Sequence, residues 1–195
     1  MMRRATVAAI AIVAALALAP VHADRVTSRG VDIPLEADVD GETVVLFGHG
    51  IARYARIFRV YVAALYGPED TAPEDLLTSD VPRRLVITYL RDVGADDIRK
   101  ATDVVLDEQY DDDERAELAD RFDEFNALYR DVGDGDQYAY VYVPDGEESR
   151  LYFNGELQGT VTGEDFARAY LGIWLGENAL SDSLRADLLA GPGNH

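Results

Sequence analysis

The strand-like and helix-like segments of this sequence come in blocks, and this order limits its fold more than any other feature. The strand-like runs are rich in β-branched and aromatic residues and lie at 43–47, 54–66, 84–90, 137–143 and 150–153. The helical segments carry apolar residues at helical spacing and lie at 96–109, 114–129, 162–176 and 181–189. A parallel sheet would need strands and helices to alternate. Blocks joined by hairpin signals such as Asn154-Gly155 instead predict an α+β fold, an antiparallel sheet with helices on one face.

Three local patterns make this prediction specific. The run 54–66 is apolar at both odd and even positions beyond Val60, which predicts one long strand covered on both faces there. Gly48-His49-Gly50 is expected to interrupt the strand before it. A stripe at four-, three- and four-residue spacing on the second helix is predicted to face the core, and it comprises Leu118, Phe122, Phe125 and Tyr129. Thr162, with Asp165 three residues on, is predicted to cap the third helix.

Residues 1–23 have the features of a secretory signal peptide. Arg3 and Arg4 precede an apolar run of about 15 residues, whereas a membrane-spanning helix needs about 20. Pro20 ends this run, and Val21-His22-Ala23 resembles a cleavage site. We therefore predict cleavage after Ala23, a periplasmic or secreted location and one mature domain over 24–195. An uncleaved membrane anchor is the alternative.

Composition excludes several kinds of partner and site. The chain has 37 acidic and 18 basic residues and a formal net charge of −19, which argues against nucleic acid and against an anionic membrane surface as partners. We expect no membrane insertion of the mature chain. The sequence has no cysteine, so disulfides and thiolate zinc sites are impossible.

Most catalytic and metal-binding motifs are missing as well. The mature chain has only His49 and the final His195, and no serine lies in a G-x-S-x-G motif. The acidic runs 111–113 and 131–136 lack the ligand spacing of a calcium loop and are typical of helix starts and turns. The short G-x-G at 48–50 does not fit a dinucleotide loop. The residues thus predict no metal site.

Arg53 is the most suggestive single residue. It follows the glycine pair and enters an apolar strand-like run, where a sheltered guanidinium would bind a carboxylate or a phenolate. The alternative is an ion pair with one of the many acidic residues.

Several stretches in fixed order support a resemblance to a known family. They are GHGIARYARIFRVYVAALY at 48–66, RRLVITYLRDV at 83–93 and YFNGELQGTVTGEDFARAYLGIWLG at 152–176, with SLRADLLAG at 183–191. As a set they resemble the bacterial chalcone isomerase-like proteins of the chalcone–flavanone isomerase superfamily. The resemblance implies an open-faced antiparallel sheet overlaid by helices, with a ligand cleft between the two layers. It also implies that neither a metal nor a redox cofactor is needed.

The resemblance also indicates which residues to examine. The arginine that holds the substrate in the plant enzymes corresponds to Arg53, although the spacing after the first glycine is one residue longer here. The enzymes' strand threonine corresponds to Tyr61 and their later threonine to Gln158, and the segment 94–105 has neither their tyrosine nor their asparagine. Fatty-acid-binding members pair the arginine with a tyrosine, as Arg53 with Tyr61 would. On one straight strand, however, these two residues would lie about 26 Å apart, and 54–60 shows no clear turn signal.

Three functions remain open from the sequence. The first is binding of a small apolar ligand with an anionic end, fatty-acid-like or phenolic, by Arg53, Tyr61 and Tyr89. The second is a cofactor-independent isomerase of the chalcone isomerase type, with Arg53 as electrophile and Tyr61 or Tyr89 as proton carrier. The third is a structural or interaction module with a vestigial cleft. The ligand and the oligomeric state are not determined by the sequence.

Overall fold

The computed structural model of the protein describes residues 24–55 and 57–194. The predicted signal peptide lies outside the described residues, so cleavage and export stay predictions. The strands are β1 (Arg25–Ser28), β2 (Val31–Pro34), β3 (Glu36–Val39), β4 (Glu42–Tyr54), β5 (Phe58–Gly67), β6 (Arg83–Tyr89), β7 (Gln137–Val143), β8 (Glu148–Phe153) and β9 (Glu156–Thr162). The helices are α1 (Ala95–Gln109), α2 (Asp112–Asn126), α3 (Glu164–Leu175) and α4 (Asp182–Leu188), and a short 3-10 turn covers Pro73–Asp75.

The sheet confirms the predicted α+β architecture. Strands β3 to β9 form one seven-stranded antiparallel sheet in which each strand pairs with its neighbour in sequence. The Asn154-Gly155 turn joins β8 to β9, and both residues adopt the positive φ that such a turn requires. Helices α1 and α2 lie between β6 and β7, and α3 and α4 follow β9. The strands therefore keep their sequence order in the sheet, without a crossover connection.

Both faces of the sheet are covered, by different elements. One face packs against the four helices, and the predicted stripe residues Leu118, Phe122, Phe125 and Tyr129 are buried there. The other face carries a smaller core to which the β1–β2 hairpin contributes Ile33. The alternation of β5 explains this arrangement, because Ala63 and Leu65 belong to the first core whereas Val62 and Ala64 belong to the second. The prediction of two covered faces beyond Val60 is confirmed.

Two local predictions are wrong, one at the Gly48-His49-Gly50 motif and one at the start of α3. Gly48, His49 and Gly50 do not interrupt a strand, because β4 continues through them with a bulge after Leu46. Thr162 does not cap α3. The N-cap is Gly163, with φ +118°, which has no side chain to bond the first turn, and the Glu164 N–H donates instead to the Glu147 carboxylate at 3.3 Å. Arg121 binds the Asp165 carboxylate with two hydrogen bonds of 2.6 Å, so Asp165 is held by another helix.

The acidic runs serve as caps and turn ligands. Asp111 caps α2 in a reciprocal capping box with Glu114, as helix-start chemistry predicts. Asp131 accepts a hydrogen bond from the Ala95 backbone N–H at the start of α1, and Asp136 accepts one from Gly133. Over the described part of the chain, no group of three or more histidine or acidic side chains is placed to hold a metal ion. No helix in that part is both long and apolar enough to cross a bilayer.

Candidate functional site

The chain turns back between Arg53 and Tyr61, where the sequence predicted one straight strand. Strands β4 and β5 form a hairpin whose turn lies at 54–58, and the Ile57 N–H donates to the Tyr54 carbonyl at 3.2 Å. Ala55 takes φ +50° in this turn, a conformation usually left to glycine or asparagine. The predicted strand 54–66 is therefore correct only from Phe58, where β5 begins, because Tyr54 ends β4 and the turn follows it. The turn was missed because an alanine occupies the left-handed position and no Gly, Asn or Pro marks it.

The hairpin brings the three candidate residues to one end of the sheet. In the β4–β5 register, Ala52 lies opposite Tyr61 and Arg53 lies opposite Arg59, with a bulge between the two pairs. In the β5–β6 register, Tyr61 lies opposite Tyr89. The separation of about 26 Å that a straight strand would impose therefore does not apply.

Tyr61 and Tyr89 form the aromatic part of this site beneath α3. Their side chains are buried, at 7% and 4% exposure, and their rings meet edge to face with centroids 5.7 Å apart. The Trp174 indole N–H donates to the Tyr61 hydroxyl at 2.9 Å. Tyr89 also contacts the ring of Tyr138 at 6.4 Å. The candidate tyrosines therefore lie between the sheet and the helix layer, as the resemblance implied.

Further rings extend this layer along the interface between sheet and helices. Tyr140 and Tyr170 stack with centroids 4.5 Å apart, and the hydroxyls of Tyr129 and Tyr170 are hydrogen-bonded. Trp174 packs against Tyr170 at 5.3 Å. In the sequence, Tyr170 and Trp174 belong to the predicted helical segment 162–176. Their helical spacing shows that they are buried, but not which strand residues they meet.

Burial makes these phenols very weak acids. It raises the pKa of Tyr61 to about 12, although the hydrogen bond from Trp174 lowers this pKa in part. Burial also raises the pKa of Tyr89, Tyr129, Tyr140 and Tyr170, and it raises that of Tyr66 on the opposite face to about 12. All of these hydroxyls are therefore neutral at physiological pH.

The raised pKa values predict a loss of stability in alkali. The folded protein keeps the Tyr61 and Tyr66 protons at pH values where the unfolded chain, with a pKa near 10.0, releases them. Their contribution is complete below pH 10 and is lost as the pH rises towards 12, at about 1.4 kcal/mol per pH unit for each group. Urea unfolding at stepped pH should show this decline, with tyrosinate absorbance rising as the fold is lost. Full tyrosinate absorbance near pH 10 with the fold intact would contradict the burial.

Arg53 lies at the rim of the site and is exposed. It lines an open depression of about 430 Å³ with Ile51 and the start of α4, at Ser181, Asp182 and Ser183. The expectation of a guanidinium sheltered inside the crevice is therefore wrong. Strand β3 pairs only with residues 42–45 of β4, so the Arg53 end of β4 lies beyond the cover of that edge strand.

The glycine pair serves packing against α4. A Cβ atom on Gly48 would lie 2.0 Å from the Asp187 carbonyl oxygen, and one on Gly50 would lie 2.8 Å from Leu184. Helix α4 can therefore rest directly on β4 only where side chains are missing. The motif positions the helix whose first residues form the depression beside Arg53.

Comparisons with known proteins agree with this fold. A family model described as chalcone isomerase-like matches residues 25–190. The structure of a fatty-acid binding protein from Arabidopsis thaliana superposes with a TM-score of 0.65 at 15% sequence identity, covering 86% of this chain and 96% of that one. At this identity the superposition shows a shared fold alone. No curated protein sequence matches the chain.

Proposed function

Since this chain belongs to the chalcone isomerase-like family, we propose that it binds, without catalysing a reaction, a small apolar molecule that has a carboxylate end. The observation that carries this proposal is the β4–β5 hairpin, which brings Arg53 to the same end of the sheet as the buried pair Tyr61 and Tyr89. That the superposed plant protein is a fatty-acid binding protein supports the same class of ligand.

The aromatic side chains provide the apolar part of the site. Tyr61, Tyr89, Tyr138 and Trp174 pack against one another between sheet and helices, so a ligand must part these rings to enter. An alkyl chain that enters among them gains about 0.8 kcal/mol for each buried methylene. Among the described residues, none hydrogen-bonds to the Tyr89 hydroxyl, so its O–H can donate to a ligand oxygen.

Arg53 provides the charged part. Its guanidinium forms no ion pair with any carboxylate of the described chain, although Asp182 lines the same depression. A ligand carboxylate at the rim can therefore bind the guanidinium without displacing an internal partner. A charge-assisted hydrogen bond contributes roughly 1.5–3 kcal/mol when desolvated. At an exposed rim we expect the lower part of that range.

The electrostatics of Tyr61 favour binding over catalysis. A general acid or base works best when its pKa lies near the working pH. Burial raises the pKa of Tyr61 to about 12, and its oxygen already accepts the Trp174 N–H. This phenol is therefore better suited to ordering a ligand than to transferring a proton at neutral pH.

A fluorescence titration tests the proposal. Trp174 is the single tryptophan of the chain and bonds to Tyr61, so it reports directly on the site. Dodecanoate should change its emission with saturation, and Arg53→Ala should weaken dodecanoate binding about tenfold, the loss of one partly solvated charged hydrogen bond. Dodecanol has the same tail without the charge and should bind both proteins about equally.

Arg29→Ala is the matched control, because Arg29 is an exposed arginine on the β1–β2 hairpin, which packs on the sheet face opposite Tyr61 and Tyr89. It should leave dodecanoate binding unchanged. Equal dodecanoate affinity for the wild type and Arg53→Ala would remove Arg53 as the anchor. No saturable change in Trp174 emission with either ligand would remove the binding function itself.

A further inference from the structure

The tip of the β4–β5 hairpin exposes three large apolar side chains within five residues of sequence. Tyr54, Ile57 and Phe58 are 72%, 76% and 54% exposed, although the chain has two cores in which such side chains are buried elsewhere. They lie at the turn, where the two strands end. We call these three residues the apolar tip.

Arginines stand directly behind the apolar tip. Arg53 and Arg59 lie opposite each other on the two strands of the hairpin. Arg91 follows β6, and its guanidinium carbon lies 5.9 Å from the centroid of the Phe58 ring. We call these three residues the basic collar.

The basic collar is an exception to the charge of the molecule. The net charge is −19, yet the segment 51–66 contains no acidic residue. Six arginines elsewhere in the described chain pair with carboxylates, as Arg121 does with Asp165 and Arg150 with Asp40. No collar arginine forms such an ion pair within the described chain. Positive charge and exposed apolar surface therefore coincide at one end of an acidic body.

We propose that the apolar tip and basic collar dock onto an anionic lipid surface. In a bilayer interface, acyl chains lie beneath a layer of phosphates. The apolar tip can therefore enter the acyl layer while the basic collar behind it meets the phosphates. A stable protein interface buries about 800 Å² on each partner, more than a single hairpin turn offers. The net negative charge of the whole molecule predicts repulsion from such a surface. Because the collar arginines lie together at one end, the molecule can nevertheless approach the surface with its apolar tip first.

A tryptophan placed in the tip tests this proposal. Phe58→Trp in the full chain should shift its emission to shorter wavelength with vesicles containing phosphatidylglycerol, and not with pure phosphatidylcholine vesicles. Val104→Trp is the control, because Val104 is 58% exposed but lies on α1 among acidic residues, and its emission should not move. Residues 1–23 are identical in all proteins compared.

The collar is tested by removing two charges. Arg59→Gln with Arg91→Gln should weaken vesicle binding of the Phe58→Trp protein about 25-fold, since each arginine near an anionic surface strengthens binding about fivefold. Arg25→Gln with Arg29→Gln removes the same charge from the β1–β2 hairpin and should have little effect.

Three results would overturn the proposal: no emission shift, a shift of equal size with both kinds of vesicle, or a shift that appears without vesicles as protein concentration rises. The last result would assign the tip to self-association. No dodecanoate is present, so failure here leaves the proposed ligand binding standing.

Discussion

Replacing Phe125 with alanine should lower the free energy of unfolding by about 4 kcal/mol, the usual cost of removing a buried phenylalanine. Phe125 on α2 is fully buried. Its ring contacts those of Tyr129, Tyr140, Phe166 and Tyr170, with centroid distances between 4.8 and 6.4 Å. The substitution therefore removes the ring that joins α2, α3 and β7. Urea unfolding followed by circular dichroism gives the free energy.

Phe58→Ala is the matched control for this substitution. Phe58 is 54% exposed at the apolar tip, so the same truncation leaves little cavity and should cost less than about 1 kcal/mol. A similar loss of stability for both variants would show that Phe125 is not part of a closely packed layer.

Gly48→Ala should be nearly as disruptive, although it adds only one methyl group. That methyl would lie 2.0 Å from the Asp187 carbonyl oxygen and 2.8 Å from the Leu188 carbonyl oxygen. Both neighbours are backbone atoms, so a rotamer change cannot relieve the overlap and α4 must move away from β4. Overpacking of this kind costs about 3 kcal/mol. Urea unfolding measures the loss, and hydrogen exchange should show reduced protection in α4.

Gly133→Ala controls for the change of residue type. A Cβ at Gly133 would meet its nearest neighbour, an Asp92 oxygen, at 3.4 Å, which is ordinary contact. Its free energy of unfolding should stay within about 1 kcal/mol of the wild type. If Gly48→Ala is as stable as Gly133→Ala, α4 does not rest on β4 as described.

Much of the fold follows from periodicity in the sequence. The alternation of 137–143 predicts β7 with its observed bounds, and Asn154-Gly155 predicts the β8–β9 turn. The apolar residues Leu118, Phe122 and Phe125 predict the buried face of α2. These signals are local, because each depends on residues a few positions apart.

The sequence failed where the chain breaks a local rule. Ala55 adopts a left-handed conformation without the side chain that usually signals it, and a bulge beside Arg53 shifts the strand phase. Gly163 replaces the expected Thr162 cap, because the chain enters α3 with φ +118°, which favours glycine. Each error moves an element boundary and leaves the fold class unchanged.

The candidate site was harder to predict than the fold, because it depends on register and on long-range packing. The pairing of Tyr61 with Tyr89 depends on how β5 and β6 align, and the bond from Trp174 joins residues 113 positions apart. The exposure of Arg53 depends on the length of β3, which pairs with residues 42–45 of β4 and does not reach the Arg53 end of that strand. Arg53 was identified from the residues themselves and Tyr61 from the family resemblance, whereas the turn that brings both to one end of the sheet came from the structure alone.

A crystal structure of the protein with dodecanoate tests the central claim most directly. We expect the carboxylate within hydrogen-bond distance of the Arg53 guanidinium and the alkyl chain between sheet and helices, in contact with Tyr61, Tyr89 and Trp174. Entry of the chain should be accompanied by rotation of these rings, since they pack against one another in its path. Dodecanoate bound elsewhere, or with its carboxylate away from Arg53 and its tail outside the aromatic layer, would contradict the account.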